Sequence, residues 1–401
     1  MEQEPVNVQR APLGRLFLLA AGGTGGHMIP AHALAEELMR RGHRVVLVTD
    51  ARGARIPGLF SGVDVHVLPA GRLGGGRFAG GPVGWCKAAK GIWEGRQAAK
   101  ALIREYEPAA VIGFGGYPAL PTLLAALSLK VPTALHEQNA VLGRVNRLLA
   151  RRVDAMATAY GRVDRLPAGI DPVIVGNPVR AEILALRDQP YPPLTEDGIF
   201  RLLVTGGSQG ASILSTVVPD AISLLPISLR ERLQVTQQCR AEDIEPVRAR
   251  YAELDIPADC ATYLADLPER LGWAHLFIGR SGASTIAELT AAGRPAILVP
   301  LPSAMDDHQT ANAREMAASG GARSIAQARF TPVELAKQMQ KMALEPGALE
   351  NAARRAKSAG YPNATSDLAD LVVQLGSGPH IPLTVPVEND RRSSDHKEAF
   401  A

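Results

Sequence analysis

Glycine clusters carry the first chemical signal in this sequence. Gly22-Gly23-Thr24-Gly25-Gly26-His27, Gly206-Gly207-Ser208-Gln209-Gly210-Ala211 and Gly279-Arg280-Ser281-Gly282-Ala283-Ser284 each follow a short apolar run, as does Gly113-Phe114-Gly115-Gly116-Tyr117. A strand that runs through glycines into a helix makes an anion site. Glycine lets the backbone approach closely, and the helix N-terminus aims N–H groups and a positive dipole at a phosphate. One such loop is often only a tight turn. Several of them, each at the carboxyl end of a predicted strand, point to a phosphate-bearing ligand at the edge where open α/β sheets bind. His27 closes the first loop, and imidazole titrates near neutrality, so it is a candidate base; the plainer alternative is a cap residue that shapes the loop.

The same residues narrow the chemistry. No Walker lysine follows the main loops, which removes a P-loop nucleotidase. Met28 stands where the third glycine or alanine of G-x-G-x-x-G would be, yet Asp50, ending the second predicted strand, could take a ribose diol, so a nicotinamide enzyme stays open. There is no D-x-D motif and no histidine or cysteine cluster with metal spacing; no metal or other cofactor is expected.

Positioning these loops requires alternating strands and helices. Residues 16–20, 45–49, 63–68, 110–113 and 133–136 read as buried strands, with helical patterns at 30–41 and 83–105 among them. A second set, 202–205, 233–236, 276–279 and 296–299, opens again on a glycine loop. The expected fold is α/β, two doubly wound Rossmann-like domains facing a central cleft. Residues 13–182 form the N-terminal domain and 200–362 the C-terminal domain, joined by a proline-rich linker at 183–199. A last helix at 363–375 is expected to pack back on the N-terminal domain, with disordered ends at 1–12 and 376–401.

The chain has 401 residues, enough for two domains, and a net charge of only +3, which argues against a nucleic-acid partner. The three cysteines, Cys86, Cys239 and Cys260, are scattered and fit a reducing cytosol. The first ten residues lack an apolar run, so no signal peptide is expected, and prolines break the longest apolar stretch, so neither is a membrane span. From Val65 to Trp93 there is no acidic residue, while Arg72, Arg77, Lys87 and Lys90 mix with Leu73, Phe78, Trp85, Ile92 and Trp93. That mixture suits an anionic membrane surface, with a mobile loop at 71–81. An ordinary amphipathic helix would explain part of it.

Taken in order, the loop 22–27, His136-Glu137-Gln138-Asn139, Gly176-Asn177-Pro178-Val179-Arg180, the loop 206–211, Arg280-Ser281-Gly282-Ala283 and Asp307-His308-Gln309 resemble the MurG family of bacterial glycosyltransferases. The resemblance spans roughly residues 16–375. It implies the GT-B fold and an inverting, metal-independent transfer of N-acetylglucosamine (GlcNAc) from UDP-GlcNAc. The acceptor would be the 4-hydroxyl of N-acetylmuramic acid on undecaprenyl-pyrophosphoryl-MurNAc-pentapeptide, that is, lipid I to lipid II. The enzyme would work at the cytoplasmic face of the membrane as a peripheral protein, with cell-wall synthesis proteins as candidate partners.

By the same resemblance His27 and Glu137 are the expected catalytic residues. Tyr117 and Asn139 face the acceptor, and Asn139 also lies near the donor sugar. Ser208 and Gln209, with Thr24, Gly25 and Gly26 from the other domain, hold the diphosphate, and Arg180 adds positive charge. Ala283, Ser284 and Thr285 open the helix whose Glu288 takes the uridine ribose. Leu264 meets uracil through backbone; the commoner acidic pair beside it is Ala265-Asp266 here. His308 and Gln309 hold the GlcNAc ring. Other readings are a UDP-GlcNAc 2-epimerase, against which the basic apolar stretch speaks, and a non-catalytic nucleotide-sugar module, against which His27, Glu288 and Gln309 speak.

Overall fold

The computed structural model describes residues 14–56, 58–69, 81–207 and 210–378, with side chains from residue 88 onward in the helix that starts at 81. The expected ends, apart from 376–378, and the expected loop 71–81, apart from its last residue, lie outside that set.

The first sheet has strands β1 (Leu16–Ala20), β2 (Arg44–Thr49), β3 (Asp64–Val67), β4 (Ala110–Gly113), β5 (Thr133–Glu137), β6 (Ala155–Thr158) and β7 (Val173–Ile174). The second has β8 (Phe200–Thr205), β9 (Leu233–Gln238), β10 (Ala258–Ala261), β11 (Leu276–Gly279), β12 (Ala296–Leu298) and β13 (Ala322–Ser324). The spatial orders are β3-β2-β1-β4-β5-β6-β7 and β10-β9-β8-β11-β12-β13. Every pairing is parallel, as between β1 and β2 and between β8 and β11. This is the doubly wound topology twice over.

Burial on both faces explains the composition of the central strands. Phe17, Leu19 and Leu47 pack against one layer of helices, and Leu18, Val46 and Val111 against the other. A strand covered on both sides needs apolar residues at every position, not at alternate ones. The strands not foreseen are short: β6, β10 and β13 are not runs of large aliphatic residues, and β7 is only two residues long. The first helix, Gly25–Arg40, starts at Gly25 and not at Pro30. Pro30 sits inside it and, having no N–H, leaves the Gly26 carbonyl without its intrahelical donor. His27 therefore lies in the first helical turn.

Helix Ala364–Leu375 buries Leu368, Leu371 and Val372 among Phe17, Leu19 and Leu34 of the first sheet's layer. Each such aliphatic side chain contributes about 1.5–3 kcal/mol of burial. Val179, Ile183 and Leu186 join Leu203 and Phe277 of the second sheet. Tyr191 donates its hydroxyl to the His275 carbonyl at 2.6 Å, so the stretch 183–199 is packed on the second sheet along part of its length.

Candidate functional site

In each sheet the winding reverses beside the first strand, between β1 and β4 and between β8 and β11. Ligands of such sheets bind outside the strand ends at that reversal. All four glycine clusters leave these four strands: Gly22 follows β1, Gly113 ends β4, Gly206 follows β8 and Gly279 ends β11. The first cluster turns through Gly23, whose φ of +86° a side chain would resist. It is held by Asp50, whose Oδ1 accepts from the amides of Gly23 at 2.9 Å and Gly53 at 3.0 Å, while Arg52 Nε donates to Oδ2 at 3.0 Å. Asp50 is thus a loop anchor, which removes the ribose contact that kept a nicotinamide enzyme open.

Three helices then begin without a side-chain cap: Gly25–Arg40 after Thr24, Ser212–Ser223 after Ala211 and Ala283–Ala292 after Gly282. Their first N–H groups have no capping side chain and suit phosphate oxygens. Thr24, Gly25 and Gly26 stand at the first of these ends, and Ala283, Ser284 and Thr285 at the last. The Ser284 hydroxyl is buried without a partner among the described residues. Ser208 and Gln209 lie outside the described residues.

His27 is half-buried at the mouth of the first sheet. Its Nδ1 lies 3.1 Å from the Gly22 carbonyl oxygen. A carbonyl only accepts, so Nδ1 carries the proton and the neutral ring keeps a lone pair on Nε2. No described residue bonds that nitrogen. Burial lowers the His27 pKa below the ordinary histidine value and His308 adds to the lowering, while Glu137, the Gly22 carbonyl and Asp50 oppose it. Gly116, at φ +74°, lets the ring approach: a Cβ there would sit 3.2 Å from His27 Cε1. Tyr117 follows, partly buried against the first sheet's core.

The His-Glu-Gln-Asn stretch is a scaffold. His136, held near a pKa of about 4 by burial, bonds through Nε2 to the Gly176 carbonyl at 2.9 Å and through Nδ1 to Gln138. Glu137 does not offer a free carboxylate to the cleft. Its Oε1 accepts from Asn139 N at 3.0 Å and Nδ2 at 3.1 Å, and its Oε2 from Gly143 N at 2.8 Å and Asn146 Nδ2 at 2.9 Å. The carboxylate expected to act catalytically is thus bonded to Asn139, Gly143 and Asn146, and it acts on the titration of His27 from a distance.

On the opposite side, Glu288 is buried and Arg180 Nη2 donates to its Oε1 at 2.9 Å. That contact uses Nη2 only, and Arg180 Nε has no partner among the described residues. Burial raises the Glu288 pKa, against the pull of Arg180. Leu264 is buried among the second sheet's residues, and the Asp266 carboxylate is taken by Arg270. The Gln309 Oε1 accepts from Leu301 N at 3.0 Å, leaving its amide N–H groups unbonded within the described residues. His308 Nδ1 bonds the Met305 carbonyl at 2.8 Å.

Two cross-cleft residues escaped the sequence. Asp306 meets Arg165 at 2.6 Å, Arg147 at 3.1 Å and Arg144 at 3.6 Å, all from the first domain. Asn312, fully buried, bonds the backbone and side chain of the 139–140 turn. Neither has a local signal, since their partners across the cleft lie more than a hundred residues away in sequence. Among the described residues no group of three or more His, Cys, Asp or Glu could hold a metal ion, and no helix is long and apolar enough to cross a membrane.

Two Rossmann-like parallel sheets, with uncapped helix ends at the winding reversal of each, give the architecture of GT-B glycosyltransferases. The profile of the glycosyltransferase family 28 N-terminal domain matches residues 17–158, and that of its C-terminal domain residues 201–371. The chain belongs to glycosyltransferase family 28. A protein of Zymomonas mobilis subsp. mobilis is 62% identical over 96% of this chain and 98% of its own length. It is named UDP-N-acetylglucosamine–N-acetylmuramyl-(pentapeptide) pyrophosphoryl-undecaprenol N-acetylglucosamine transferase. A Rhodospirillum rubrum protein of the same name is 51% identical over 93% of this chain and 94% of its own. The crystal structure of Acinetobacter baumannii MurG superposes with a TM-score of 0.69 at 29% identity, covering 90% of this chain and 99% of that one. A UDP-GlcNAc 2-epimerase of Neisseria meningitidis, at 12% identity and a TM-score of 0.61, covering 90% and 100%, shares the fold.

Proposed function

We propose that this protein transfers GlcNAc from UDP-GlcNAc to the 4-hydroxyl of N-acetylmuramic acid in undecaprenyl-pyrophosphoryl-MurNAc-pentapeptide, converting lipid I to lipid II with inversion. The observation that carries the mechanism is His27, which stands in the first turn of an uncapped helix with its Nε2 unbonded among the described residues and His308 of the second domain close enough to act on its titration. Nε2 takes the proton of the acceptor hydroxyl as that oxygen bonds to the anomeric carbon. The bond from the anomeric carbon to the diphosphate breaks, and UDP leaves. Ser208 and Gln209, with backbone N–H groups at the Thr24–Gly26 turn and at Ala283, Ser284 and Thr285, take up the growing charge. Gln309 and His308 hold the donor sugar, Leu264 the uracil, and Tyr117 and Asn139 the acceptor.

Glu288 takes the ribose hydroxyls through the oxygen Arg180 leaves open, with Arg180 as its orienting partner. Replacing Glu288 by glutamine should weaken UDP-GlcNAc about 10–100-fold, the loss of hydrogen bonds to a charged acceptor. Calorimetry with UDP-GlcNAc and its 3′-deoxyribose analogue checks this. An equal loss for both ligands would place Glu288 away from that hydroxyl.

The acceptor's polyprenyl chain cannot leave a bilayer cheaply, which favours peripheral attachment at the cytoplasmic face. Trp93 is 60% exposed on helix Gly81–Tyr106, and Lys90 precedes it by one turn, a pair suited to an anionic lipid surface. The deciding assay supplies UDP-GlcNAc and lipid I in vesicles, with EDTA present. Disaccharide-linked lipid should form, faster as anionic lipid increases. Epimerised sugar without any disaccharide would overturn the reading.

A further inference from the structure

We infer that Asn312 is a positioning residue that sets the register between the donor-sugar helix and the acceptor turn. The inference rests on the placement of Asn139 and Gln309 at the substrates proposed above. Asn312 lies on helix His308–Ala318, one turn beyond His308 and Gln309. Its side chain is wholly buried. Oδ1 accepts from the Ala140 amide at 2.8 Å, and Nδ2 donates to Asn139 Oδ1 at 3.1 Å and to the Ser281 carbonyl at 3.2 Å.

The orientation of that amide is forced. An N–H of the Ala140 backbone can only donate, and a carbonyl of Ser281 can only accept. Asn139 is oriented as firmly, because its Nδ2 faces the Glu137 carboxylate at 3.1 Å. Its Oδ1 is then the atom that meets Asn312, and one amide hydrogen of Asn139 is left for a ligand. Ser281, also buried, closes the circuit by donating its hydroxyl to the Gln309 carbonyl at 2.8 Å. Glu137, Asn139, Asn312, Ser281 and Gln309 thus form one bonded path from the acceptor turn to the donor-sugar residues.

Neither domain alone contains this path. It exists only when the two domains approach each other as they do here, with Asn312 as the side chain that spans the gap. Transfer requires the acceptor oxygen and the anomeric carbon to meet within a few tenths of an ångström, and a misplacement of about 1 Å costs roughly 10²-fold in rate. Asn312 does this work without touching either substrate.

Steady-state kinetics of full-length Asn312→Leu and Asn312→Asp, with donor affinity by calorimetry and melting temperature without ligand, test the role. For Asn312→Leu, kcat should fall about 30–100-fold, with UDP-GlcNAc affinity within about threefold. Asn312→Asp keeps the Ala140 contact but loses both donors. Its activity relative to the parent should rise as pH falls, because a protonated carboxyl regains one donor. In an Asn139→Ala background Asn312→Leu should add little further loss. The parent's kcat in both variants, losses of kcat and donor affinity in parallel, or additive losses with Asn139→Ala would overturn the inference. If Asn139→Ala is harmful and the Asn312 variants are not, only the inference fails. If Asn139→Ala is harmless, the placement of Asn139 fails and the inference fails with it.

Discussion

Alanine in place of His27 should lower kcat by about 10²–10⁴-fold, the usual worth of a positioned proton acceptor, while UDP-GlcNAc affinity stays near that of the parent. The Gly22 carbonyl holds the Nδ1 proton, so the neutral ring presents Nε2 as a base without any rearrangement. Burial, helped by His308, keeps the ring neutral at physiological pH. The working form is the deprotonated one, so activity is lost as pH falls through the lowered pKa. The acid limb of kcat/KM should therefore lie below the ordinary histidine value of 6.5 and vanish in the alanine variant. His27→Gln separates the two roles a histidine can play here, since glutamine can orient a hydroxyl but cannot take its proton at neutral pH. Glutamine activity near the parent's would sink the base assignment and leave an orienting role. An unchanged acid limb in the alanine variant would assign that limb to another group.

The central strands were legible because buried parallel strands are unbroken apolar runs, and β1, β4 and β11 coincide with their expected spans. β10, which reads Ala-Asp-Cys-Ala, has no such run and is recruited by its neighbour β9. The glycine loops and His27 were legible because their chemistry is local: the loop and the helix it opens adjoin in sequence. What individual charges do was not. Asp50 and Glu137 each read as a group facing a ligand, yet both are taken up by protein donors, and Arg180 spends one N–H on Glu288. That choice depends on which loop lies alongside, a property of the folded chain.

The same limit hid the contacts that draw the domains together. Asp306 and Asp307 both adopt φ of 55°, a conformation that costs a non-glycine residue about 1–3 kcal/mol. Asp306 is held there by Arg144, Arg147 and Arg165 across the cleft, and Asp307 accepts from the Thr310 hydroxyl at 2.7 Å. The strained turn immediately precedes His308 and Gln309, so the pose of these two residues, proposed to hold the donor sugar, depends on the first domain being in place. Asn312, one turn later, adds a buried hydrogen-bonded tie to that ionic one.

Glu137 anchors the acceptor side of this arrangement, and Glu137→Ala should be the most destabilising of these substitutions. The carboxylate is 2% exposed and receives hydrogen bonds from Asn139 N and Nδ2, Gly143 N and Asn146 Nδ2. Alanine removes the acceptor and leaves those donors facing a cavity. Hydrogen bonds to a buried charge contribute about 1.5–3 kcal/mol each, and water entering the cavity recovers part of the loss. A net cost of about 3–5 kcal/mol is expected, measured as the shift in denaturant midpoint at constant slope. Glu137→Gln is the sharper probe. It keeps one oxygen, but its amide nitrogen must face at least one N–H, so it should cost nearly as much despite its similar shape. Activity should fall further than stability alone explains, because a released Asn139 can no longer hold its remaining amide hydrogen toward the substrates. If Glu137→Gln were as stable as the parent and still lost activity, the carboxylate would instead act directly on the reaction. Parent-like stability and activity together would mean the 137–146 turn keeps its shape without it.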